Sequence, residues 1–191
     1  MKERPILFKD EMIRAILDGR KTQTRRVVKP QPSNVINDLF IWRDNATPRD
    51  ELMASCPYGQ PGDQLWVRET YFGNHFQHPN EPEDERELHY LADGLPCFEG
   101  EEDEIRWRPS IHMPRWASRL QLEIVNVRVE RLQDISESDA LEEGITYNHI
   151  PNNGLDPMRA RTWFRGLWES INGPGSWDLN PWVWVVEFKR M

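Results

Sequence analysis

Five apolar or alternating stretches commit this chain to a β-sheet. The strongest is PWVWVVEFKRM at residues 181–191, where β-branched and aromatic residues predominate, a composition typical of strands. Residues 120–129 alternate between apolar and polar side chains, the pattern of a half-buried strand. Shorter runs at residues 5–8, 24–28 and 64–72 also predict strands. The rest of the chain has to fit around this sheet.

Two short amphipathic helices can be placed between these strands from their end signals. The first follows the strand at residues 5–8, with Asp10 as the candidate N-cap and Gly19 as the stop. The second has Ser136 as the candidate N-cap and Gly144 as the terminator.

A third, longer helix is predicted within MRARTWFRGLWESING, residues 158–173. Its apolar stripe consists of Phe164, Leu167, Trp168 and Ile171. Six or so strands mixed with three short helices predict an α+β domain. We expect a small, mostly antiparallel β-barrel with short flanking helices and long inserted loops.

The length of 191 residues suits one domain with its own core. We therefore treat residues 1–191 as a single domain with insertions at about 29–60 and 73–106. Prolines and mixed polar residues predict a long loop in the first insertion. Between residues 81 and 104 the second has eleven acidic residues and one basic residue, so the rest carries +2 although the total is −8. This acidic stretch is typical of a solvated insertion; a flap that repels long nucleic acids is the alternative.

The sequence favours a cytoplasmic protein without a membrane segment. Cys56 and Cys97 are too few for a disulfide framework, and no apolar N-terminal run resembles a signal peptide. No stretch approaches the ~20 apolar residues of a membrane span. His75, His78, Cys97 and His112 lack the spacing of a tetrahedral zinc site, and no glycine-rich nucleotide loop is present. We expect neither a metal nor a cofactor.

Positive charge is concentrated in the segment LDGRKTQTRR, residues 17–26, where four basic residues surround two threonines. Such a segment is most often a solvated turn; the alternative is a site for a polar or anionic group. Neighbouring cations and partial burial both lower the pKa of a lysine, so Lys21 is a candidate base. Thr24, three residues later, offers a hydroxyl that needs a base before it can attack.

The geometry of a strand restricts how these residues can meet. Thr24 and Arg26 share a face, whereas Lys21 and Thr24 face opposite ways in a regular strand. Lys21 and Thr24 therefore meet only if Arg20–Gln23 is a turn or bulge. We predict irregular backbone there, with the strand beginning near Thr24. Arg26 would then lie beside the hydroxyl, where it can orient a phosphate, ribose or acyl oxygen.

The segment fits the pattern G-x-K-x-x-[E/T]-x-R, in which Gly19, Lys21, Thr24 and Arg26 hold the fixed positions. A PGD turn at residues 61–63 and a final EF strand follow. With these features the chain resembles the ASCH superfamily, whose fold is a PUA-like barrel. RPSIHMPRWASR and SINGPGSWDLNPWVWVVEFKR further resemble larger ASCH proteins of phages and prophages. The resemblance covers most of the chain, and it implies a PUA-like fold with Gly19 and Arg26 on the substrate-binding side.

Within that superfamily, the GRKT-x-T-x-R form of the motif is similar to that of the N(4)-acetylcytidine amidohydrolases. The similarity implies that Lys21 and Thr24 are catalytic and that a glutamate after the central strands completes the set. The segment ISESDALEE, residues 135–143, corresponds to a short helix of that family and points to Glu143. Glu142 is the adjacent alternative. This chain is considerably longer than those enzymes, so its extra loops can reshape the pocket.

Four further residues are candidates for the substrate pocket. Trp66, Arg68 and Glu69 lie on the strand after the PGD turn, and Trp116 precedes the alternating strand. Either tryptophan is a candidate for stacking on a base, although most of the nine tryptophans are expected in the core. Arg68 and Glu69 line the cavity in one interpretation and form a buried structural ion pair in the other.

The sequence thus supports two functional hypotheses. The first is a metal- and cofactor-independent amidohydrolase acting on N(4)-acetylcytidine or related N(4)-acylated cytosine nucleosides, with Thr24 as nucleophile, Lys21 as base and Glu143 as proton donor. Its partner is a small-molecule nucleoside. The second is an RNA-binding module or ribonuclease that uses the same cleft. The preferred acyl group, the oligomeric state and the choice between free nucleoside and RNA stay open.

Overall fold

The computed structural model describes residues 1–43, 45–73, 87–94, 106–145 and 159–191. The strands of the described residues are β1 (Glu3–Leu7), β2 (Gln23–Val27), β3 (Asn34–Ile36), β4 (Leu39–Ile41), β5 (Ala46–Pro48), β6 (Gln64–Arg68), β7 (Tyr71–Gly73), β8 (Leu88–Tyr90), β9 (Gln121–Arg131) and β10 (Trp182–Arg190). The α-helices are α1 (Asp10–Leu17), α2 (Arg49–Ala54), α3 (Glu137–Glu142) and α4 (Ala160–Asn172). No described helix has the length and apolarity needed to cross a membrane.

A five-stranded mixed sheet with the order β1-β6-β9-β10-β2 forms the centre of this α/β structure. The β1–β6 pair is parallel, and the other neighbours are antiparallel. The two long strands β9 and β10 pair along most of their length, with a bulge between Glu187 and Phe188. Within the described ranges no ladder joins β1 to β2. The sheet is therefore open at both edges there, and the expected closed barrel is not confirmed.

Both faces of the sheet are covered, because β10 alternates its buried side chains between two cores. Val183 and Val185 belong to a cluster with residues of α3 and α4. Trp184, Val186 and Phe188 belong to a second cluster with residues of α1, β6 and β9. The predicted strand at the end of the chain is thus confirmed as an interior strand with helices on either side.

The ends of α1 and α3 follow the sequence signals closely. Asp10, the predicted N-cap of α1, is its first residue, and Lys9 occupies the cap position; an acidic side chain in the first turn complements the helix dipole. Ser136 caps α3 and forms a capping box with Asp139. The two helices are followed by Gly19 and Gly144, both with positive φ, so the predicted stops are confirmed.

The two free edges of the sheet approach each other although they are not paired. The Arg26 Nη2 atom of β2 donates a hydrogen bond of 2.6 Å to the backbone oxygen of Leu7, the last residue of β1. We call the gap between the end of β1 and the free edge of β2 the seam. A single side chain bridges the seam at this point.

The segment at 29–60 is not the long loop that the sequence predicted. Strands β3, β4 and β5 form a three-stranded antiparallel sheet there, and α2 follows. Asn37 and Asp38 connect β3 to β4 with φ of 47° and 61°, as a two-residue hairpin turn requires. Phe40 is fully buried and packs against Trp182 with ring centroids 4.8 Å apart. This small sheet therefore packs against the core, and its description as an insertion stays a prediction.

The second predicted insertion, 73–106, falls mostly outside the described residues. Its described part contains β8, which pairs with β7 at the start of the segment. Most of the acidic stretch between residues 81 and 104 belongs to the part of the chain that is not described.

Candidate active site

The segment between α1 and β2 is a tight bend held by backbone hydrogen bonds. Gly19 has a φ of +72°, which lets the chain reverse at the helix end. The Arg20 and Lys21 amides donate to the Ala15 oxygen at 2.8 Å and 3.0 Å. β2 begins at Gln23. The irregular backbone predicted for Arg20–Gln23 is confirmed up to the residue before the strand.

The C-terminal end of α3 packs directly against this bend. The Thr22 amide donates to the Glu142 oxygen at 2.9 Å, and Lys21 and Glu143 form an isolated antiparallel bridge. Gly144 has a φ of +82°, and a Cβ on it would lie 2.6 Å from the Lys21 Cβ and 2.8 Å from the Ala15 Cβ. Glycine at this position therefore permits both the turn and the contact.

The Lys21 ammonium group is buried and fully hydrogen-bonded. Its Nζ donates to the Gln23 oxygen at 2.8 Å, to the Glu143 backbone oxygen at 2.9 Å and to Glu143 Oε2 at 2.8 Å. It lies over the Phe8 ring, 5.6 Å from the centroid. Burial lowers the pKa of Lys21; Glu143 opposes this effect, and the charges of Arg26 and Arg25 add to it.

Glu143, rather than Glu142, is the carboxylate that meets Lys21. Its side chain is 4% exposed, and its Oε1 accepts a hydrogen bond of 3.0 Å from Arg25 while Oε2 accepts from Lys21. Glu142 Oε2 accepts instead from Gln23 Nε2 at 2.9 Å. The ambiguity between the two glutamates is resolved as far as contact with Lys21 is concerned.

Arg25 is a central residue of this cluster that the sequence analysis did not single out. Its guanidinium is fully buried and donates to Glu130 Oε1 from Nε at 3.0 Å and from Nη2 at 2.7 Å, besides its bond to Glu143. Because it is adjacent to Thr24 on a strand, it faces the opposite side of the sheet, over the Phe164 ring. The signal that could have identified Arg25 is its charge on a strand face that helices cover, because a buried arginine needs acidic partners.

Thr24 and Arg26 share the other face of β2, as predicted. They lie opposite Val186 and Trp184 of β10, which belong to the same core cluster. Thr24 is 4% exposed. Among the described residues, its hydroxyl has no hydrogen-bond partner.

The Arg26 guanidinium has hydrogen-bond acceptors for only some of its N–H groups. Its Nη2 bonds to Leu7, while its Nε is buried without an acceptor among the described residues. Burial lowers the pKa of the Arg26 guanidinium, an effect that Tyr58 and Glu143 oppose. The side chain therefore retains a donor for a ligand.

A cavity of about 810 Å³ lies at the seam, and we call it the seam cavity. Thr24, Arg25, Arg26 and Glu143 all line it. Lys21 does not line it and lies behind Glu143. Trp168 also lines the cavity, and its indole Nε1 is a second buried donor without an acceptor in the described part of the chain.

A second cavity of about 890 Å³ adjoins the first. Both are lined by Glu143, together with Phe8, Lys9 and Leu167. The predicted apolar stripe of α4 takes part in this region: Phe164 and Trp168 are buried, as expected, but Ile171 is 41% exposed and lines the seam cavity. The Glu143 carboxylate thus lies where the two cavities meet.

Four predicted substrate residues are not brought to these cavities. Glu69 is fully buried and forms two hydrogen bonds of 3.0 Å with Arg119, not with Arg68. The ion-pair interpretation of Glu69 is therefore the one that matches the structure, with a different arginine as its partner. It lines neither the seam cavity nor its neighbour.

The other three residues form part of a separate surface. Arg68 lies over the Trp66 ring and donates to the backbone oxygen of Ile111. Trp116 is half-buried and packs against the small cluster that contains Tyr71. None of them lines the two cavities. Gly19 lines neither cavity either. Its contribution is the bend that follows α1.

Metal ligands are not gathered at the site. Within the described ranges there is no group of three or more His, Cys, Asp or Glu side chains that could hold a metal ion. His75, His78 and Cys97 lie outside the described residues, and His112 is described.

Comparison with known proteins gave no relative: no family model matches the chain, and no curated protein or solved structure is significantly similar to it. The resemblance to ASCH proteins therefore rests on the motif residues of this sequence alone.

Proposed function

We propose that this chain is an amidohydrolase that removes the acyl group from an N(4)-acylated cytosine nucleoside such as N(4)-acetylcytidine. One observation carries the proposal: the Thr24 hydroxyl and the Glu143 carboxylate line one cavity, and Lys21 is bonded to that carboxylate from behind. The GRKT-x-T-x-R motif supports the same class of reaction. Thr24, Lys21 and Glu143 then supply the nucleophile, the base and the acid, although Glu143 is 122 positions from Lys21 in the chain.

The Lys21–Glu143 pair can supply both the base and the acid. Burial lowers the pKa of Lys21, and transfer of its proton to Glu143 across the 2.8 Å bond yields an amine and a carboxylic acid. The amine takes the proton from Thr24 as Oγ1 attacks the acyl carbon. When the C–N bond breaks, the acid protonates the departing N4 atom, which releases cytidine and leaves an acyl ester on Thr24. Water then hydrolyses the ester to the free carboxylic acid.

The negative charge that develops on the acyl oxygen needs hydrogen-bond donors. Arg26 and Trp168 both line the seam cavity, and the buried Arg26 Nε and Trp168 Nε1 lack acceptors among the described residues. A buried donor without a partner costs about 1–3 kcal/mol, and a substrate oxygen would remove that penalty. These two groups are therefore our candidates for stabilising the oxyanion.

The proposal is tested by measuring cytidine release from N(4)-acetylcytidine. We expect the wild-type protein to release cytidine, Thr24→Ala to lose roughly 10³-fold or more of kcat, and Thr24→Ser to keep part of the activity. Thr22→Ala is the matched control, because Thr22 is two residues away in the same segment but lines neither cavity. Unchanged turnover by Thr24→Ala, or no release by the wild type, would reject the mechanism.

A second candidate, an RNA-binding module or ribonuclease, is favoured by the mouth of the seam cavity. Two exposed lysines, Lys9 and Lys29, lie there with the aromatic side chains of Trp42 and Tyr58. Cations and stacking platforms are what single-stranded RNA requires. This candidate predicts RNA affinity that falls steeply with salt, without cytidine release from the acylated nucleoside.

A further inference from the structure

The seam cavity contains positive charge that no described residue neutralises. Lys9, Arg26 and Lys29 line it, and none of them forms an ion pair in the described part of the chain. The carboxylate among its lining residues is Glu143, which already accepts from Lys21 and Arg25. Three cations therefore converge on the cavity without an internal counter-ion.

We propose that the mouth of the seam cavity binds a phosphate group of the substrate. The substrate class is then a phosphorylated cytosine ribonucleotide rather than a bare nucleoside. The phosphate can come from a free nucleoside monophosphate or from the backbone of RNA. The reaction assigned to this substrate rests on the proposed function, but the phosphate-binding property does not.

The depth of the lining residues supports this orientation. Lys9 and Lys29 are exposed, Arg26 is half-buried, and Thr24 and Glu143 are buried. A nucleotide has its phosphate and its exocyclic amine at opposite ends. With the acyl amide against Thr24 and Glu143, the phosphate reaches the exposed cations.

Arg26 lies between these two ends. A strand rises about 3.3 Å per residue, so its Cα is about 7 Å from that of Thr24 along the same face of β2. The bond from Nη2 to Leu7 fixes the guanidinium, and the buried Nε is left without an acceptor. The positive charge of Arg26, in one cavity with two lysines, matches an anionic ligand better than a neutral ribose, while its Nε stays assigned to the acyl oxygen.

The test is the binding of cytidine and cytidine 5′-monophosphate, measured by calorimetry at low and high salt. We expect the wild type to bind the nucleotide about tenfold more tightly at low salt, with the preference shrinking at high salt, because exposed charges are screened. The double variant Lys9→Gln/Lys29→Gln should lose most of this preference. The matched control is Lys2→Gln/Lys189→Gln, which removes two lysines that do not line the cavity and should keep it.

Equal affinities of the wild type for the nucleoside and the nucleotide would overturn the proposal. So would a preference that survives in the Lys9→Gln/Lys29→Gln variant. A phosphate-dependent preference without any cytidine release from acylated substrates would retain the phosphate site and reject the amidohydrolase. Cytidine release without such a preference would retain the amidohydrolase and reject the phosphate site.

A further arm separates the two sources of phosphate. The probe is a single-stranded RNA trinucleotide with a central cytidine, compared with the 5′-monophosphate in the wild type and the double variant. Tighter binding of the trinucleotide that depends on the two lysines supports a phosphate site for RNA. Tighter binding of the monophosphate with the same dependence supports a site for free nucleotides.

Discussion

Two carboxylates are buried in the described part of the chain, and they illustrate the difference between a structural ion pair and a candidate catalytic one. Glu143 and Glu69 are 4% and 0% exposed, and each is bonded to an arginine. Glu69 accepts both of its hydrogen bonds from Arg119, which also pairs with Asp93. Every charge in that cluster has a partner of opposite sign, and Glu69 lines neither cavity described above.

Glu143 differs in its access to ligands and in its partners. It lines both cavities, and it is bonded to a lysine whose pKa burial lowers as well as to an arginine. Arg26 and Trp168, which line the seam cavity together with Glu143, carry donors that lack acceptors in the described part of the chain. Burial of charge alone therefore does not distinguish the two carboxylates; burial combined with a cavity and unsatisfied donors is what makes Glu143 the candidate.

The sharpest test of this contrast is the pair of variants Glu143→Gln and Glu69→Gln. Loss of Glu143 leaves Lys21 and Arg25, whose side chains are fully buried, without their shared anion; breaking a buried pair costs about 3–5 kcal/mol. Deacylation should also fall roughly 10²–10⁴-fold because the acid is lost. Urea denaturation and cytidine release per folded molecule are the measurements.

We expect a smaller change for Glu69→Gln. Arg119 is 27% exposed and keeps Asp93, so the loss should be about 1.5–3 kcal/mol. Turnover per folded molecule should not change. If both variants lost turnover equally, the distinction between the two carboxylates would be untenable.

A second comparison uses a glycine next to each cluster. Gly144 and Gly94 have φ of +82° and +101°, but a Cβ would contact Lys21 and Ala15 at Gly144, whereas at Gly94 it would have no described atom within 4 Å. Backbone strain costs about 1–3 kcal/mol in either case, and overpacking adds about 1–3 kcal/mol at Gly144 alone. Gly144→Ala should therefore be the more destabilising in thermal unfolding, and it alone should lower kcat. Equal stability losses would mean that the bend yields freely.

The smallest expected effect is on the free energy of unfolding at acidic pH. Burial raises the pKa of Asp139, but hydrogen bonds from Gln23 and Ser136 and the charges of Arg25 and Arg128 outweigh it and lower the value to about 2. A depressed pKa stabilises the fold above the unfolded value and loses that contribution as the pH falls through the folded one. Between about pH 4 and pH 2, the free energy of unfolding of Asp139→Asn should therefore fall by about 1–2 kcal/mol less than that of the wild type.

Ser136→Ala sharpens that measurement. It keeps the Asp139 carboxylate but removes the hydroxyl that donates to Oδ2, so it should reduce only part of the pH-dependent loss. Urea unfolding at a series of pH values distinguishes the three proteins. A pH-dependent loss that is identical in all of them would contradict the assignment.

Local patterns predicted the elements whose signals are local. The capping Ser136 and the stop at Gly144 placed α3 within a residue of where it lies. The two-residue period of a strand placed Thr24 and Arg26 on one face. Both inferences need only the backbone geometry of one element.

The contacts that build the site could not be obtained in that way. Lys21 and Glu143 are 122 positions apart, and their pairing was expected only through the resemblance to a family. Arg25 was missed because its partners depend on the register of β2 with β10 and of β10 with β9, which sets Glu130 within its reach. Register is a property of the assembled sheet, and no single segment encodes it.

The error at residues 29–60 has a different cause. Prolines and polar residues there suggested a loop, while the hairpin signal was the pair Asn37-Asp38 between two short apolar runs. Both residues tolerate positive φ better than most. Strands of three residues are too short for their alternation to stand out.

The bond between Arg26 and Leu7 has a consequence for how the molecule can be remodelled. A backbone ladder fixes the spacing of two strands at one value, whereas one guanidinium on a long, rotatable stem accommodates several. The bond to Leu7 holds Arg26 in one position here, so a shorter or longer side chain at position 26 would change the width of the seam while every strand keeps its own pairing. Chains with the same sheet could thus admit bulkier or slimmer ligands through substitutions at this one bridge, leaving the rest of the scaffold untouched.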